Sequence, residues 1–424
     1  MNAAPLSLGV VADDFTGAGD IANTLVLGGM RTVLTIGAPR SDRDYGDAQA
    51  LVVALKTRSI AAPDAVAQSL DALEALRARG ARAFVFKYCS TFDSTDAGNI
   101  GPVAEALRER LDTAFTVHCP AFPATGRRVF AGYLFVGDVL LSESGMRDHP
   151  LNPMHDANLV RVLQRQTPRP VGRVDFATVR AGRPALARTL GTWDAERARH
   201  VIVDAVADDD LRAIGGAALD AGLPLLCGGS GIALGLPAAL GVRPRGEDGA
   251  VAVPQSGPAA ILAGSCSQAT QAQIAYARER LPVFDLGAGS LDDPQRRVDE
   301  ALQWADGALG ERPILIAASA APARVAENQR RYGVAGAGEL VEGMLAAIAR
   351  GLRRRGVARF VVAGGETSGA VVAGLHVDAL RIGPQIDPGV PWTATLDERP
   401  VALALKSGNF GGEDFFVRAF AQSA

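Results

Sequence analysis

Lysine is almost missing from this chain. Of 43 basic residues in 424, three are lysines (Lys56, Lys87 and Lys406) and the rest are arginines. GC-rich codon usage produces such a bias without functional cause. The surviving lysines are therefore candidates for positions where a compact ammonium works and a planar guanidinium does not. Lys56 stands in no motif and reads as chance. Aromatic residues are scarce, at 5%, which argues against an aromatic-rich β-sandwich and for tightly packed α/β layers. A net charge of −3 gives no strong field for nucleic acid or an anionic membrane. No uninterrupted apolar run approaches the roughly 20 residues that span a bilayer. The first residues carry no basic stretch and meet Asp13 and Asp14 too soon for an export signal, so a cytoplasmic location is expected. The four cysteines, Cys89, Cys119, Cys227 and Cys266, form no CxxC and read as small buried hydrophobes. His118 beside Cys119 finds no further ligand at zinc-like spacing.

What is present is a steady alternation of short apolar runs and helical patterns. SLGVVAD, RTVLTIG, ALVVALK, ARAFVFKYC, TAFTVHCPA, HVIVDAV and PLLCGGS read as strands. Runs this short and this apolar, separated by helices such as residues 63–80, indicate parallel sheets covered on both faces. Residues 243–257 are rich in Pro, Gly and charge and read as a linker. A second series follows it: AAILAGS, LPVFDLG, RPILIAAS, RFVVAGG and VALALKSG. The expected fold is a two-lobed α/β protein, each lobe a mostly parallel sheet flanked by helices, with the active site in the cleft between lobes. The domains expected are residues 1–242 and 258–424.

Three features of the first lobe could carry chemistry. The first strand ends in ADDFTGAGD, and ligands of open α/β sheets bind beyond the carboxyl ends of strands. Asp13 and Asp14 there could bind sugar hydroxyls, hold Mg²⁺ or act as a base, or one could simply cap the helix that follows. Strand alternation would point the two side chains in different directions. Next, KYCSTFDSTDAGNIG packs Lys87, Ser90 and Asp93 into one loop before a helix starting near Asn99. It offers a cation, a carboxylate and hydroxyls to an anionic, hydroxylated ligand. Last, residues 119–154 break the rhythm as a hairpin excursion and a long loop. Arg128, Glu143, Arg147 and His149 could reach the cleft from it.

The second lobe carries three Gly/Ser turns, each opening a helix. LAGSCSQATQAQI places Ser265 and Ser267 at one. AGGETSGAVVAGL places Gly364, Gly365, Glu366 and Thr367 at another, and LKSGNFGGEDFF places Lys406 and Gly408 at the third. Such turns expose backbone N–H groups that suit phosphate. Neither a P-loop nor the protein-kinase signatures occur.

ADDFTGAGD, FDSTDAGNIG and the GSCS, AGGETSG and KSGNFGGEDFF turns resemble those of the four-carbon acid sugar kinase family, along the full chain. The resemblance implies ATP-dependent phosphorylation of the 4-hydroxyl of a four-carbon sugar acid, in first place a 3-oxo-tetronate, with D-threonate or D-erythronate as alternatives. It implies that the first lobe binds the acid and the second binds ATP with Mg²⁺. Carried over by motif, Ser265, Gly364, Gly365, Glu366, Thr367 and Gly408 would hold the nucleotide. Asp13, Asp14 and Lys87 would be catalytic, with Asp14 the preferred proton acceptor. Ser90, Asp93 and Arg128 would bind substrate, and Lys406 would help neutralise the phosphates. Asp96 and Ala97 stand where the family more usually has a basic residue. The expected partners are the C4 acid and ATP, with no nucleic acid and no membrane; a homodimer is left open. A nicotinamide-dependent dehydrogenase would need a GxGxxG turn that is missing. A two-lobed solute-binding protein would normally carry an export signal.

Overall fold

The computed structural model describes residues 6–149, 152–242, 253–254, 256–286, 292–318, 327 and 330–421. The chain divides into two compact units, Met1–Ala250 and Val251–Ala424. Most of the stretch read as a linker, residues 243–252 and 255, lies outside the described residues.

Among the described residues the first unit holds eleven strands: β1 (Leu8–Ala12), β2 (Thr32–Ile36), β3 (Ala50–Ala54), β4 (Ala83–Lys87), β5 (Thr116–Cys119), β6 (Arg127–Phe130), β7 (Tyr133–Val136), β8 (Val139–Leu140), β9 (Val171–Val174), β10 (His200–Val203) and β11 (Leu225–Gly228). Every residue of β1, β4 and β11 is buried, which explains why their sequences show no alternation. Eight strands form a parallel sheet in the order β2-β3-β1-β4-β11-β5-β10-β9. From β1 the chain moves to one side for β2 and β3, then crosses to the other for β4. Ligands of such sheets bind where the order reverses, beyond the strands' carboxyl ends. Here that point lies between Ala12 and Lys87, which are register partners.

The expected excursion after β5 is a separate antiparallel sheet of β6, β7 and β8. Asp204, just past β10 and fully buried, fastens it by accepting the Ala131 and Gly132 amides at 2.9 Å and Arg173 at 2.8 Å. Ala131 sits at φ 52 and Gly132 at φ 77. The bend there is a left-handed one that the buried carboxylate holds.

The second unit holds β12 (Ala259–Ala263), β13 (Val283–Asp285), β14 (Ile314–Ala317), β15 (Arg359–Ala363), β16 (Ala379–Asp387), β17 (Val390–Thr395) and β18 (Ala402–Lys406). Their order is β13-β14-β12-β15-β18-β17-β16. The first five are parallel, and β17 and β16 run antiparallel. That antiparallel hairpin is absent from the sequence reading. Its turn is Pro388–Gly389, with Gly389 at φ 76, and two register shifts interrupt β16. This sheet also reverses direction beside its first strand. Ala263, Ala363 and Lys406 are register partners at the carboxyl ends of β12, β15 and β18. No helix among the described residues is long and apolar enough to cross a membrane.

Candidate functional site

The first site grows from the end of β1. The strand stops at Ala12, so Asp13 and Asp14 lie beyond it and do not alternate. Asp13 takes its carbonyl and amide into loop hydrogen bonds with Thr57 N and Lys87 O, both 3.0 Å. Asp14 turns into extended backbone as the N-cap of the helix Phe15–Leu27. The two carboxylates therefore converge, contrary to the alternation expectation, and what brings them together is Arg58. Its Nε and Nη2 reach the two Asp13 oxygens at 2.9 and 2.7 Å, and Nη2 also donates to Asp14 Oδ1 at 2.7 Å. Arg58 is held in turn by Asn99, whose amide donates to the carbonyls of Thr57, Arg58 and Ile60 at 2.6, 3.3 and 3.0 Å.

Asp14 has a second task. Its Oδ1 accepts the Gly17 amide at 3.1 Å and its Oδ2 accepts the Thr16 hydroxyl at 2.8 Å, which satisfies the open start of the helix. The helix thus begins two residues before the GAGDIANTLVLGG pattern. Lys87, 3% exposed, brings its ammonium to 3.9 Å from Asp14 Oδ1. It does so by lying across Gly17: a Cβ there would stand 2.2 Å from Lys87 Nζ and 2.2 Å from Asp14 Oδ1. The glycine of this turn is thus a requirement of the ammonium's path.

Charge is divided unequally over the pair. Burial raises the Asp13 carboxyl above its ordinary value, against the pull of Arg58. Burial also pushes Asp14 up, but Arg58, Lys87 and the Thr16 and Gly17 hydrogen bonds outweigh it and hold Asp14 below the usual range. Asp20, nearly two turns further along the same helix, is raised to about 6 by burial, against Ser230 and Lys87.

The other residues named from sequence fall around this centre. Ser90 follows β4 with its Cβ beside Gly229, where an added Cβ would lie 3.3 Å away. Asp93 accepts the Thr91 hydroxyl at 2.6 Å. Between them Phe92 is buried at φ 53, a strained turn for an aromatic residue. Arg128 lies on β6 opposite Phe135, half-buried. Glu143 and Arg147 are exposed, and His149 accepts the Asn152 amide at 3.1 Å. A cavity of about 710 Å³ opens between Ser94–Ala97 and the Pro153–Arg165 segment. Arg165 approaches Asp96 to 3.6 Å there, which sets a guanidinium near the position where the family motif more usually has its own cation. His118 joins a buried chain, Tyr88 Oη to His118 to His200 to Glu105, at 3.2, 3.1 and 2.8 Å. Cys119 and Cys227 are buried, as expected of small hydrophobes; Cys266 is exposed.

The second site is made of backbone. The three turns that the sequence spreads over 140 residues meet at Ser265. A Cβ on Gly408 would lie 2.3 Å from Ser265 Oγ, and one on Gly364, at φ 127, 3.2 Å from the Ser265 amide and 2.9 Å from Thr367 Oγ1. Gly364 is the N-cap of the helix Gly365–Gly374, and no side chain caps it. Gly365 and Glu366 are exposed at its start, whereas Thr367 is buried against Gly264.

Lys406 is turned the other way from the expectation. It is fully buried, and its ammonium donates to the carbonyls of Ser407 and Gly408 at 3.0 and 3.2 Å and to Thr270 Oγ1 at 3.3 Å. Burial lowers it to about 8. Ser267 and Thr270 hydroxyls donate to the same Gly408 carbonyl at 2.6 and 2.8 Å. Gln273 binds the carbonyls of Phe410, Gly411 and Gly412, each at 3.0 Å. In a trans peptide the N–H opposes the C=O. With the carbonyls of Ser407 and Gly408 drawn inward, the amides of Gly408 and Asn409 face outward. Lys406 thus acts on this turn by orienting its peptide planes.

Arg58, Asp20 and Asn99 are the site groups that sequence reading passed over. One arginine among so many carries no signal, and Asp20 looks like any polar residue of a helix.

Residues 8–236 match a family model described as a sugar-binding N-terminal domain, and residues 260–416 one described as a nucleotide-binding C-terminal domain. The chain is 56% identical to a 3-oxo-tetronate kinase of Cupriavidus necator over 98% of its own length and 96% of the relative's. It is 43% identical to one of Salmonella typhimurium, covering 98% of each. Among solved structures, a Salmonella typhimurium chain provisionally described as a tRNA synthase superposes with a TM-score of 0.87 at 43% identity, covering 98% of each chain. A Haemophilus influenzae protein superposes at 0.81 with 41% identity, over 98% of this chain and all of that one.

Proposed function

The chain belongs to the four-carbon acid sugar kinase family, and from that premise we propose that it transfers the γ-phosphate of ATP to the 4-hydroxyl of a 3-oxo-tetronate. The observation that carries the nucleotide half is the meeting of three glycine turns at Ser265, at the carboxyl ends of β12 and its neighbours. The amides of Gly408 and Asn409 and the uncapped start of the helix Gly365–Gly374 supply donors for phosphate oxygens. Ser265, Glu366 and Thr367 complete that surface. Mg²⁺ enters as part of the nucleotide, chelated by its phosphates, and the reaction takes place in the cytoplasm, where ATP is supplied.

The acid belongs at the Asp13–Asp14–Arg58–Lys87 cluster. Lys87 supplies a buried positive charge for a carboxylate, while Ser90, Asp93 and Arg128 bind the remaining oxygens. Asp14 accepts from a substrate hydroxyl and so orients the chain of the acid. Phosphoryl transfer asks for alignment and charge neutralisation more than covalent help, which fits two polar beds of fixed geometry.

An ADP-release assay over a panel of C4 sugar acids, with MgATP, tests the reading. ADP appearing fastest with a 3-oxo-tetronate, together with a 4-phosphate product, is the expected result. Release with D-threonate or D-erythronate alone would move the substrate within the family. No release above the acid-free rate across the panel would overturn the kinase reading.

A further inference from the structure

Gly17 stands three residues after Asp14 and three before Asp20, so both carboxylates flank the face of the helix Phe15–Leu27 that Gly17 marks. The Lys87 ammonium lies on that face, directly over Gly17. Asp14 stands 3.9 Å from that ammonium, and its charge also acts on Asp13 and Asp20; the three carboxylates differ in what their oxygens already do. Both oxygens of Asp13 are bound by Arg58. Asp14 is occupied by Arg58, the Gly17 amide and the Thr16 hydroxyl. Among the described residues, Asp20 caps no helix and no guanidinium is hydrogen-bonded to it. The groups facing it are Lys87 from β4, Asp14 from its own helix, Arg127 from β6 and the Ser230 hydroxyl, which influences it without reaching hydrogen-bond geometry.

Resting on the kinase reading above, we propose that Asp20 is the catalytic base of the sugar site. Its carboxylate takes the proton of the acceptor hydroxyl as that oxygen bonds to the γ-phosphorus. The bond from that phosphorus to the β-phosphate bridging oxygen breaks, and its electron pair leaves with ADP. The motif alone favours Asp14 for this step. Asp14, however, is held below the usual carboxylate range by its cations and cap bonds, which makes it a weak proton acceptor. Burial keeps Asp20 near 6, closer to the working pH, where a general base is most effective.

The test is the pH dependence of kcat/KM with MgATP and the best acid of the panel, for the wild type, Asp20→Asn and Asp14→Asn. The wild type should lose activity on the acid side with a midpoint near 6. Asp20→Asn should lower turnover by at least about 100-fold and remove the acid limb from the residual rate. Both ligands should still bind. Its melting temperature at neutral pH should be at or above that of the wild type: a carboxyl raised from 3.8 to about 6 binds more protons folded than unfolded, so its ionisation works against folding as pH rises through that window. Asp14→Asn should keep the limb and lose thermal stability, because the neutral amide no longer offsets the charges of Arg58 and Lys87. Asp20→Asn with turnover within about 3-fold of wild type and an intact limb would overturn the assignment, as would a limb removed by Asp14→Asn alone. Should Asp20→Asn fail to fold, the wild-type profile decides, and a flat rate between about pH 5 and 7 overturns the proposal. Wild-type inactivity on every acid would instead strike the kinase reading.

Discussion

On the proposed reading, the two units solve the same problem, holding an anionic ligand at the reversal point of a parallel sheet, with different materials. The N-terminal site is built of side-chain charge: three carboxylates, Arg58 and Lys87, packed so closely that a glycine is needed beneath the lysine. The C-terminal site is built of peptide groups, and its polar side chains work from behind. Lys406, Ser267, Thr270 and Gln273 pull carbonyls inward and leave amides outward. The two buried lysines show the contrast best. Lys87 presents its charge to a site, whereas Lys406 spends its charge on its own loop. A hydroxylated acid needs charges and acceptors at specific points. Phosphates accept any cluster of N–H donors, so backbone suffices for them.

If the first site is a charge cluster, breaking one ion pair should hurt most. Arg58→Gln leaves Asp13 buried without the cation hydrogen-bonded to it, and removing one member of such a pair costs about 3–5 kcal/mol of stability. Adding Asp13→Asn should restore most of that loss. A denaturant midpoint unchanged in the single variant, or no recovery in the double, would show that Arg58 does not hold the pair together.

Next in size is Lys87→Met. Loss of the cation facing a buried carboxylate should weaken acid binding by about 2–5 kcal/mol and leave ATP binding as it was. Equal losses for the two ligands in calorimetry would remove Lys87 from the sugar site.

Much of this contrast is legible in the sequence, and the rest is hidden for physical reasons. Scarcity of lysine singles out Lys87 and Lys406, and the glycine turns single out the second site. What Lys406 does there is not readable, because whether an ammonium faces a ligand or its own carbonyls depends on which way the strand presents it. Asp13 and Asp14 stand out as adjacent carboxylates at a strand end. That they converge depends on Arg58, whose position comes from Asn99 at the start of another helix. Asp20 becomes visible only when Lys87 is seen to cross Gly17. The parallel strands were readable because full burial makes each one a short apolar run. The β16–β17 hairpin is hidden in the sequence because its register shifts and its internal Pro384 break both the alternation and the apolar run.

A smaller effect should come from the supports of the second site. Ser267→Ala deletes one hydroxyl bond to the Gly408 carbonyl and the cap that Ser267 Oγ gives the Thr270 amide, and should lower stability by about 1–2 kcal/mol. A slight loss of ATP affinity should accompany it and no change for the acid. An effect confined to acid binding would contradict the division.

The division itself is tested most directly by titrating each ligand separately into two glycine variants. Gly17→Ala puts a methyl group where the Lys87 ammonium lies, and Gly408→Val drives side-chain atoms into Ser265. Gly19→Ala, whose added Cβ would meet nothing within 4 Å, serves as the control. The account predicts that Gly17→Ala raises the dissociation constant of the sugar acid by about 10-fold or more and spares ATP, while Gly408→Val does the reverse. Either variant weakening both ligands alike, or neither ligand, would contradict it.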